Sequence, residues 1–408
     1  MKYIQTHPWI KFALNTATFP ARLWLSLGEA RSKCDHLAGV PLRPKIAELL
    51  HQVYLAKGLL ATAAIEGNTL TEEQVRARIE GKGTLPKSQE YLGKEIDNVL
   101  SAVNEILDTI EAEGPIPITT TQIRNYNRLI LKGLELEEHV IPGEYSKVQV
   151  GVPDYKGVSP LESDALMEKL CNWLNGEDFK AKQDDAIVYG IIKSVVAHIY
   201  LAWIHPFGDG NGRTARLLEV RFLLEAGVPY AAIHLLSNHY NKTRTDYYRR
   251  LAEASKNGGD LTNFFQYAAT GFLDLLREQL RTVKFQQWQI AWESYVYENF
   301  RGMDTVAARR QRILVLAMSQ RDAISKGELR RLTPEVAECY ANKTAKTLSR
   351  DINALLKMEL ITESGQNVRA NSEIILAFLP RARAGDLESK HQEALRLRSE
   401  GGQLELPL

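Results

Sequence analysis

The run His205-Pro-Phe-Gly-Asp-Gly-Asn-Gly-Arg-Thr-Ala-Arg216 concentrates groups that handle phosphate. Pro206 disfavours helical geometry in the residue before it, so a helix must stop at Ile204. Gly208, Gly210 and Gly212 let a backbone approach a ligand with no Cβ in the way. The apolar spacing of Leu217, Leu218, Val220, Phe222 and Leu223 starts a new helix straight after. A glycine-rich loop feeding a helix N-terminus offers unpaired N–H groups and a positive dipole end, which suits an anion. Arg213 and Arg216, three apart, reach one anion from the same side. Asp209 is a hard oxygen ligand of the kind a phosphate-bound Mg²⁺ takes. His205 supplies a proton acceptor near neutral pH. Each feature alone is ordinary, since histidines cap helices and Asp-Gly and Asn-Gly make turns. Their joint order describes phosphoryl or nucleotidyl transfer.

The elements that must hold this loop are helical. Spacing of the i, i+3, i+4 type predicts helices over 44–64, 94–113, 121–131, 163–174, 187–204 and 261–283. The stretch Tyr145–Val152 alternates in the manner of a strand between Pro142-Gly143 and Pro153-Asp154, which predicts a hairpin flap on a helical body. A further helix over 285–300 leads to Arg301-Gly302. Beyond it, 306–319, 326–332 and 341–358 read as three helices, and 360–362, 365–368 and 374–379 as the strands of a short wing. That is the outline of a winged helix-turn-helix. The charged tail from Arg381 reads as a helix end or a disordered extension.

Composition excludes several classes. The 408 residues hold 51 Lys plus Arg against 50 Asp plus Glu, a net charge of +1, so the chain is not basic overall. The 3 cysteines, Cys34, Cys171 and Cys339, lie far apart, which fits neither a disulfide framework nor a structural zinc site. The first residues lack the pattern of a signal peptide. The most apolar stretch, 187–207, is interrupted by Lys193, His198 and Pro206. A cytoplasmic protein without membrane contact is expected.

HPFGDGNGRTAR fills every fixed position of the signature of the Fic family, His-x-Phe-x-Asp/Glu-Gly-Asn-Gly-Arg-x-x-Arg, and so resembles it closely. The resemblance implies a mainly α Fic fold and protein adenylylation, the transfer of AMP from ATP to a Ser, Thr or Tyr hydroxyl. It implies His205 as general base and Asp209 as the Mg²⁺ ligand. Gly210, Asn211 and Gly212 would form the anion cradle, Arg213 and Arg216 would bind the β- and γ-phosphates, and the ATP-binding run would include Thr214 and Ala215. Thr62-Ala-Ala-Ile-Glu66-Gly67-Asn68 resembles the family's inhibitory motif. Thr62 and Glu66 share a helix face, Gly67-Asn68 ends the helix, and Thr71-Glu-Glu-Gln74 reads as a capping box for the next. The resemblance implies that Glu66 pairs with Arg216 and blocks productive ATP binding. The flap at 143–152, with Gly143, Tyr145, Val148 and Val150, resembles the hairpin that aligns a target segment by strand pairing, with Ser146-Lys147 where many relatives carry arginine. Thr243-Arg-Thr-Asp-Tyr247-Tyr248 resembles the segment around the adenine pocket, with Thr243 in place of asparagine, and Asn257 reaches toward the same nucleotide. Self-modification and a homodimer are compatible with the resemblance.

The implied organisation is an N-terminal helical region over 1–110 with the inhibitory helix at about 55–68, and a Fic core over 111–283. A linker helix over 284–304, a winged helix over 305–380 and a tail over 381–408 follow. Residues 305–380 carry twelve Lys and Arg against eight Asp and Glu. In a recognition helix beginning near Thr344, Lys343, Lys346 and Arg350 would contact phosphates and Thr347 a base edge. The competing functions are a DNA-binding regulator with a nucleotide-sensing domain and the transfer of another phosphate-containing group. The presence of His205 favours catalysis, because a sensor needs no general base.

Overall fold

In the computed structural model, which describes residues 2–152, 155–181, 185–319, 321 and 323–375, the chain divides into two units, Met1–Arg277 and Glu278–Leu408. The first unit is helical. Its N-terminal part comprises α1 (Tyr3–Thr6), α2 (Ala21–Ala38), α3 (Pro44–Ala64), α4 (Glu72–Ile79), α5 (Glu90–Glu113) and α6 (Thr120–Ile130). A small antiparallel pair follows, β1 (Gly151–Val152) and β2 (Tyr155–Lys156), with Gly151 opposite Lys156. Then come α7 (Pro160–Leu174), α8 (Ala186–Ile204), α9 (Asn211–Glu225), α10 (Leu235–Lys242) and α11 (Arg244–Lys256). The last helix of this part, α12 (Thr262–Asn299), contributes residues to both units.

Helix α8 passes the length and composition of a membrane span, but 83% of that window is buried inside the protein. A helix apolar on all sides belongs in a core. Polar groups that enter this core with it gather into one cluster. His198 on α8 lies 3.0 Å from Glu219 on α9 through Nδ1, and 2.8 Å from the Tyr247 hydroxyl through Nε2. The Tyr240 hydroxyl donates to Glu219 at 2.9 Å. All four residues are buried, so this network locks α8, α9, α10 and α11 together beneath the loop at 205–210. Burial pushes the Tyr240 hydroxyl far above its usual pKa, and the Glu219 carboxylate adds to the shift, so it stays a donor.

The second unit contains α13 (Val306–Met318), β3 (Ile324–Ser325), α14 (Pro334–Tyr340), α15 (Ala345–Lys357), β4 (Ile361–Ser364) and β5 (Asn367–Ala370). The strands form an antiparallel sheet in the order β3-β5-β4, and Gly365-Gln366 turn β4 into β5 with Ser364 opposite Asn367. Leu314, Val315, Met318, Leu329, Leu355, Leu360 and Val368 build a core separate from that of the first unit. Across it, Asp351 of α15 accepts from Arg310 Nε of α13 at 2.7 Å and from the Tyr340 hydroxyl of α14 at 2.8 Å. Arg310 and Asp351 are both buried. Removing one partner strands a charge, so Asp351→Ala should destabilise this unit by about 3 kcal/mol. Urea unfolding monitored within 278–375 checks it, and an unchanged midpoint would dismiss the clamp.

Several expectations change. The helices expected over 261–283 and 285–300 are one continuous helix, α12, so no separate linker helix exists over 284–304. The expected helix over 326–332 is a single 3₁₀ turn, Leu329–Arg331. Its place is taken by α14, started by the Thr333 hydroxyl, which accepts from Val336 N, and by Pro334 in the first turn. An additional strand, β3, pairs with β5, and 374–375 lie in a 3₁₀ turn rather than the expected strand. Residues 376–379 and the tail over 381–408 lie outside the described residues.

Candidate active site

The site forms where α8 ends and α9 begins. His205 caps α8 in the left-handed region, φ +51° and ψ 56°, directly after Ile204, the last residue of the helix. Ile204 O accepts from Val158 N at 3.1 Å, Pro206 O accepts from Ser146 N at 2.8 Å, and Tyr145 bridges to Phe207. The flap is therefore stitched along the loop, although most of the expected strand over 145–152 is not regular. Only the bridge at Tyr145 and the short β1 are strand-like, because Ser146 turns back and its hydroxyl donates to Val148 O at 2.9 Å. The loop's own closure uses Asn211, whose side chain accepts from Phe207 N at 3.0 Å and donates to Phe207 O at 2.7 Å. Gly210 takes φ +79°, a conformation that costs a Cβ-bearing residue energy.

His205 Nδ1 lies 3.3 Å from Ala202 O. Carbonyl oxygen only accepts, so Nδ1 carries the proton and Nε2 keeps its lone pair. Burial pulls the imidazole pKa below its ordinary value, opposed in part by the Ala202 carbonyl and by the charges of Glu66 and Asp209. At neutral pH the ring is a neutral base.

The first turn of α9, the expected anion cradle, is filled from within. Thr214 N donates to Gly210 O at 2.9 Å, so the N–H groups of Asn211, Gly212 and Arg213 precede the helical ladder. Glu66, just beyond the end of α3, points its carboxylate there. Its Oε1 accepts from Arg216 Nη2 at 2.6 Å, and a Cβ on Gly212 would lie 2.2 Å from the same oxygen. Only glycine at 212 lets the carboxylate in. Arg216 also donates to Thr62 O at 2.9 Å, while the Thr62 hydroxyl turns back to Gly58 O. Burial works to raise the Glu66 pKa, but Arg216 chiefly, with Arg213 and Arg244, outweighs it and holds the carboxyl below its usual range. Arg216 is 1% exposed, and Glu66 keeps it charged against the penalty of burial.

Arg213 is held from two sides, by Glu95 of α5 at 2.7 Å and by Asp209 at 3.1 Å. Glu95 also accepts from Asn68 Nδ2 at 2.9 Å, so the turn after α3 and the second arginine share one carboxylate. Asn127 of α6 donates to Asp209 O at 2.9 Å and accepts from Gly143 N at 3.0 Å, tying the loop to the base of the flap. The sequence reading missed both residues. Asn127 sits in the apolar stripe of Ile123, Tyr126 and Ile130 and is wholly buried. A polar residue inside such a stripe is the signal that would have found it. Nothing local marks Glu95.

Other expected residues separate. Thr214 and Ala215 are 0% exposed and turn into the core, so their side chains are closed to a ligand. Tyr247, expected near adenine, is buried with its hydroxyl on His198 and its ring stacked on Tyr240 at 4.9 Å. Apolar burial wins over exposure on that face of α11. Tyr248 is the exposed ring, with its hydroxyl 3.5 Å from Ile65 O, beside Glu66. Thr243 spends its hydroxyl on His239 O and Tyr267. Asn257 lies exposed in the turn after α11. On the flap, Tyr145 is buried beneath the Arg124 guanidinium, 4.1 Å above its ring, while Val148 is exposed and Val150 half-buried. Tyr155 of β2 anchors the flap by donating to Trp203 O at 2.6 Å.

The donor set fits a triphosphate. The Nε groups of Arg213 and Arg216 are buried without a partner among the described residues, a surplus of donors around the cradle. Asp209 is half-exposed at the loop mouth, and one carboxylate beside phosphate oxygens is the usual protein share of a Mg²⁺ site.

Residues 117–223 match the profile of the Fic/DOC family. A stretch of 211 residues is 34% identical to "Protein adenylyltransferase Fic" of Nematostella vectensis, covering 50% of this chain and 44% of that protein. A second relative, "Protein adenylyltransferase Fic" of Drosophila grimshawi, is 31% identical over 262 residues, 62% of this chain and 48% of its own length. The matched region thus spans less than half of these relatives. Among solved structures, a Fic family protein from Desulfovibrio desulfuricans G20 aligns with 86% of this chain and 97% of its own at a TM-score of 0.52 and 21% identity. Fic-1 of C. elegans aligns with 64% of this chain and 72% of its own at 0.50 and 25%. The signature loop and its flanking helices lie within that match, so the chain contains a domain of the Fic/DOC family over residues 117–223.

Proposed function

We propose that the protein is an adenylyltransferase that moves AMP from ATP to a hydroxyl of a protein, and that Glu66 holds it inactive. One observation carries this reading: a neutral imidazole with a free Nε2 stands at the mouth of an anion cradle that the chain's own carboxylate occupies. In this reading Glu66 withdraws, and the triphosphate takes its place on the N–H groups of α9, Arg213 and Arg216. Asp209 would hold Mg²⁺, which neutralises phosphate charge when bound. The hydroxyl oxygen attacks the α-phosphorus, its proton passes to His205 Nε2, and the bond to the β-phosphate oxygen breaks to release pyrophosphate. Exposed Val148 and half-buried Val150 present the flap edge on which an extended target segment pairs. The adenine-side contact falls to Tyr248 rather than Tyr247.

The C-terminal unit, with α13, α14, α15 and the β4–β5 hairpin, is read as a winged helix-turn-helix. A cytoplasmic location belongs to the same proposal.

Incubation with ATP labelled at the α-phosphate tests the reaction. Label on protein from the α-position, and none from the γ-position, is the expected result. Transfer from the γ-position would replace adenylylation with a kinase-like reaction. The Glu95 bridge has its own consequence. Glu95→Gln leaves Arg213 with a weaker partner and frees Asn68. The KM for ATP should rise about tenfold, near 1.5 kcal/mol for one charge-assisted hydrogen bond, with kcat little changed. Steady-state kinetics in a Glu66→Gly background measures it. A fall in kcat alone would move Glu95 from binding to the chemical step.

A further inference from the structure

The C-terminal unit carries twelve basic and eight acidic residues over 305–380, a balance too even to say much. Folding changes it. Asp351, the only carboxylate between Glu338 and Glu359, is 2% exposed and neutralised by Arg310. Glu363 pairs with Lys326, and Glu373 pairs with Arg369 and is buried. What remains outward on α15 is of one sign. Lys346, Arg350, Asn353 and Lys357 are exposed, spaced along one helix face at intervals of three or four, and no carboxylate pairs with the three cations among the described residues. Lys343, in the four-residue turn from α14, is also exposed at the end of that face. The opposite face, Leu348, Ile352 and Leu355, is buried in the unit's core. Thr347, which the sequence placed at a base edge, is half-buried instead; Asn353 is the outward amide.

From this we infer that α15 is a duplex-DNA-binding helix, with Lys343, Lys346, Arg350 and Lys357 on phosphates and Asn353 toward the base edges of the major groove. The inference rests on the winged-helix reading of this unit and is independent of the adenylylation reading. Charge complementarity chooses the occupant. A solvated helix normally mixes signs along its outer face, whereas a cation-only face with one central amide matches a phosphate-flanked groove. The buried Arg310–Asp351–Tyr340 clamp fixes the angle of α15 against α13 and α14, so the face is presented rigidly. The β4–β5 turn at Gly365-Gln366 supplies a second, polar contact point of the kind a wing makes.

The test uses the full chain and a fluorescent mixed-sequence duplex of about 30 base pairs, read by anisotropy from about 50 to 200 mM salt. Binding should weaken steeply with salt. In the double variant Lys346→Glu/Arg350→Glu, affinity at low salt should fall at least about tenfold and the slope of log K against log salt should drop by about two. Asn353→Ala should flatten the sequence preference obtained by selection from a randomised duplex without changing the slope. Thermal unfolding and α-label incorporation of the double variant should match the parent, which separates loss of the DNA face from loss of fold or of catalysis. Hydrogen exchange over 306–318, 334–340 and 345–357 checks the fold of the unit separately. Protected helices with no duplex binding at low salt would overturn the inference, as would unchanged binding by the double variant. Tighter binding to single-stranded RNA than to the duplex would also overturn it.

Discussion

Glu66→Gly is expected to raise self-labelling from α-labelled ATP by about 100-fold while making the nucleotide-free protein less stable. Both effects come from one contact. With Glu66 in the cradle, a triphosphate meets Arg216 already engaged at 2.6 Å and the first turn of α9 covered by a carboxylate. If the open arrangement is populated at about 1%, the apparent affinity is reduced by that fraction, and deleting the carboxylate restores it. That is about 2.7 kcal/mol, just under the ~3–5 kcal/mol for removing one partner of a fully buried pair, in keeping with a Glu66 side chain that is 33% exposed. The same deletion leaves Arg216, 1% exposed, with the Thr62 carbonyl as its one remaining hydrogen-bond partner among the described residues. An uncompensated buried cation destabilises, so the melting temperature of the variant should fall without ligand and rise on adding ATP by more than the parent's does. Radiolabel incorporation and thermal shift are read on the same preparations. A variant as inert as the parent, with an unchanged ATP-induced shift, would remove Glu66 from any regulatory role.

The second large effect belongs to His205→Ala in the Glu66→Gly background. The loss of a positioned base should lower kcat by about 10³-fold and leave ATP binding nearly intact, because the ring lies at the loop's mouth and not in the cradle. The pH profile gives a finer readout. Neutral imidazole is the active form, and its pKa is depressed chiefly by burial, so activity should persist below pH 6.5 and fall as pH drops through the depressed value. Glu66 is one of the charges that raise that pKa. Removing it should therefore shift the acid limb of kcat/KM, which reports the free enzyme, further toward low pH. A limb that stays put would mean that the two groups do not sense each other. A His205→Ala variant that labels at the parent rate would take the base out of the mechanism.

The loop from His205 to Arg216 was legible in the sequence because its chemistry is local. Glycines, a proline and the start of an apolar helix place an imidazole, a carboxylate and two guanidinium groups within a few turns of chain. The pairing of Glu66 with Arg216 was legible too, but only through likeness to a known motif; nothing in the spacing of residues 150 apart brings them together. The tertiary structure alone decided the rest. It made Asn127 the tie between loop and flap and gave Arg213 a second carboxylate from α5. It also sent Tyr247 into the core while leaving Tyr248 outside, since adjacent residues on a helix lie 100° apart and only packing chooses which one is covered. In the C-terminal unit the sequence counted charges, and the fold sorted them. Burial of Asp351 is a long-range event, set by where Arg310 and Tyr340 arrive, and it is what turns an even mixture of charges into a helix face of one sign.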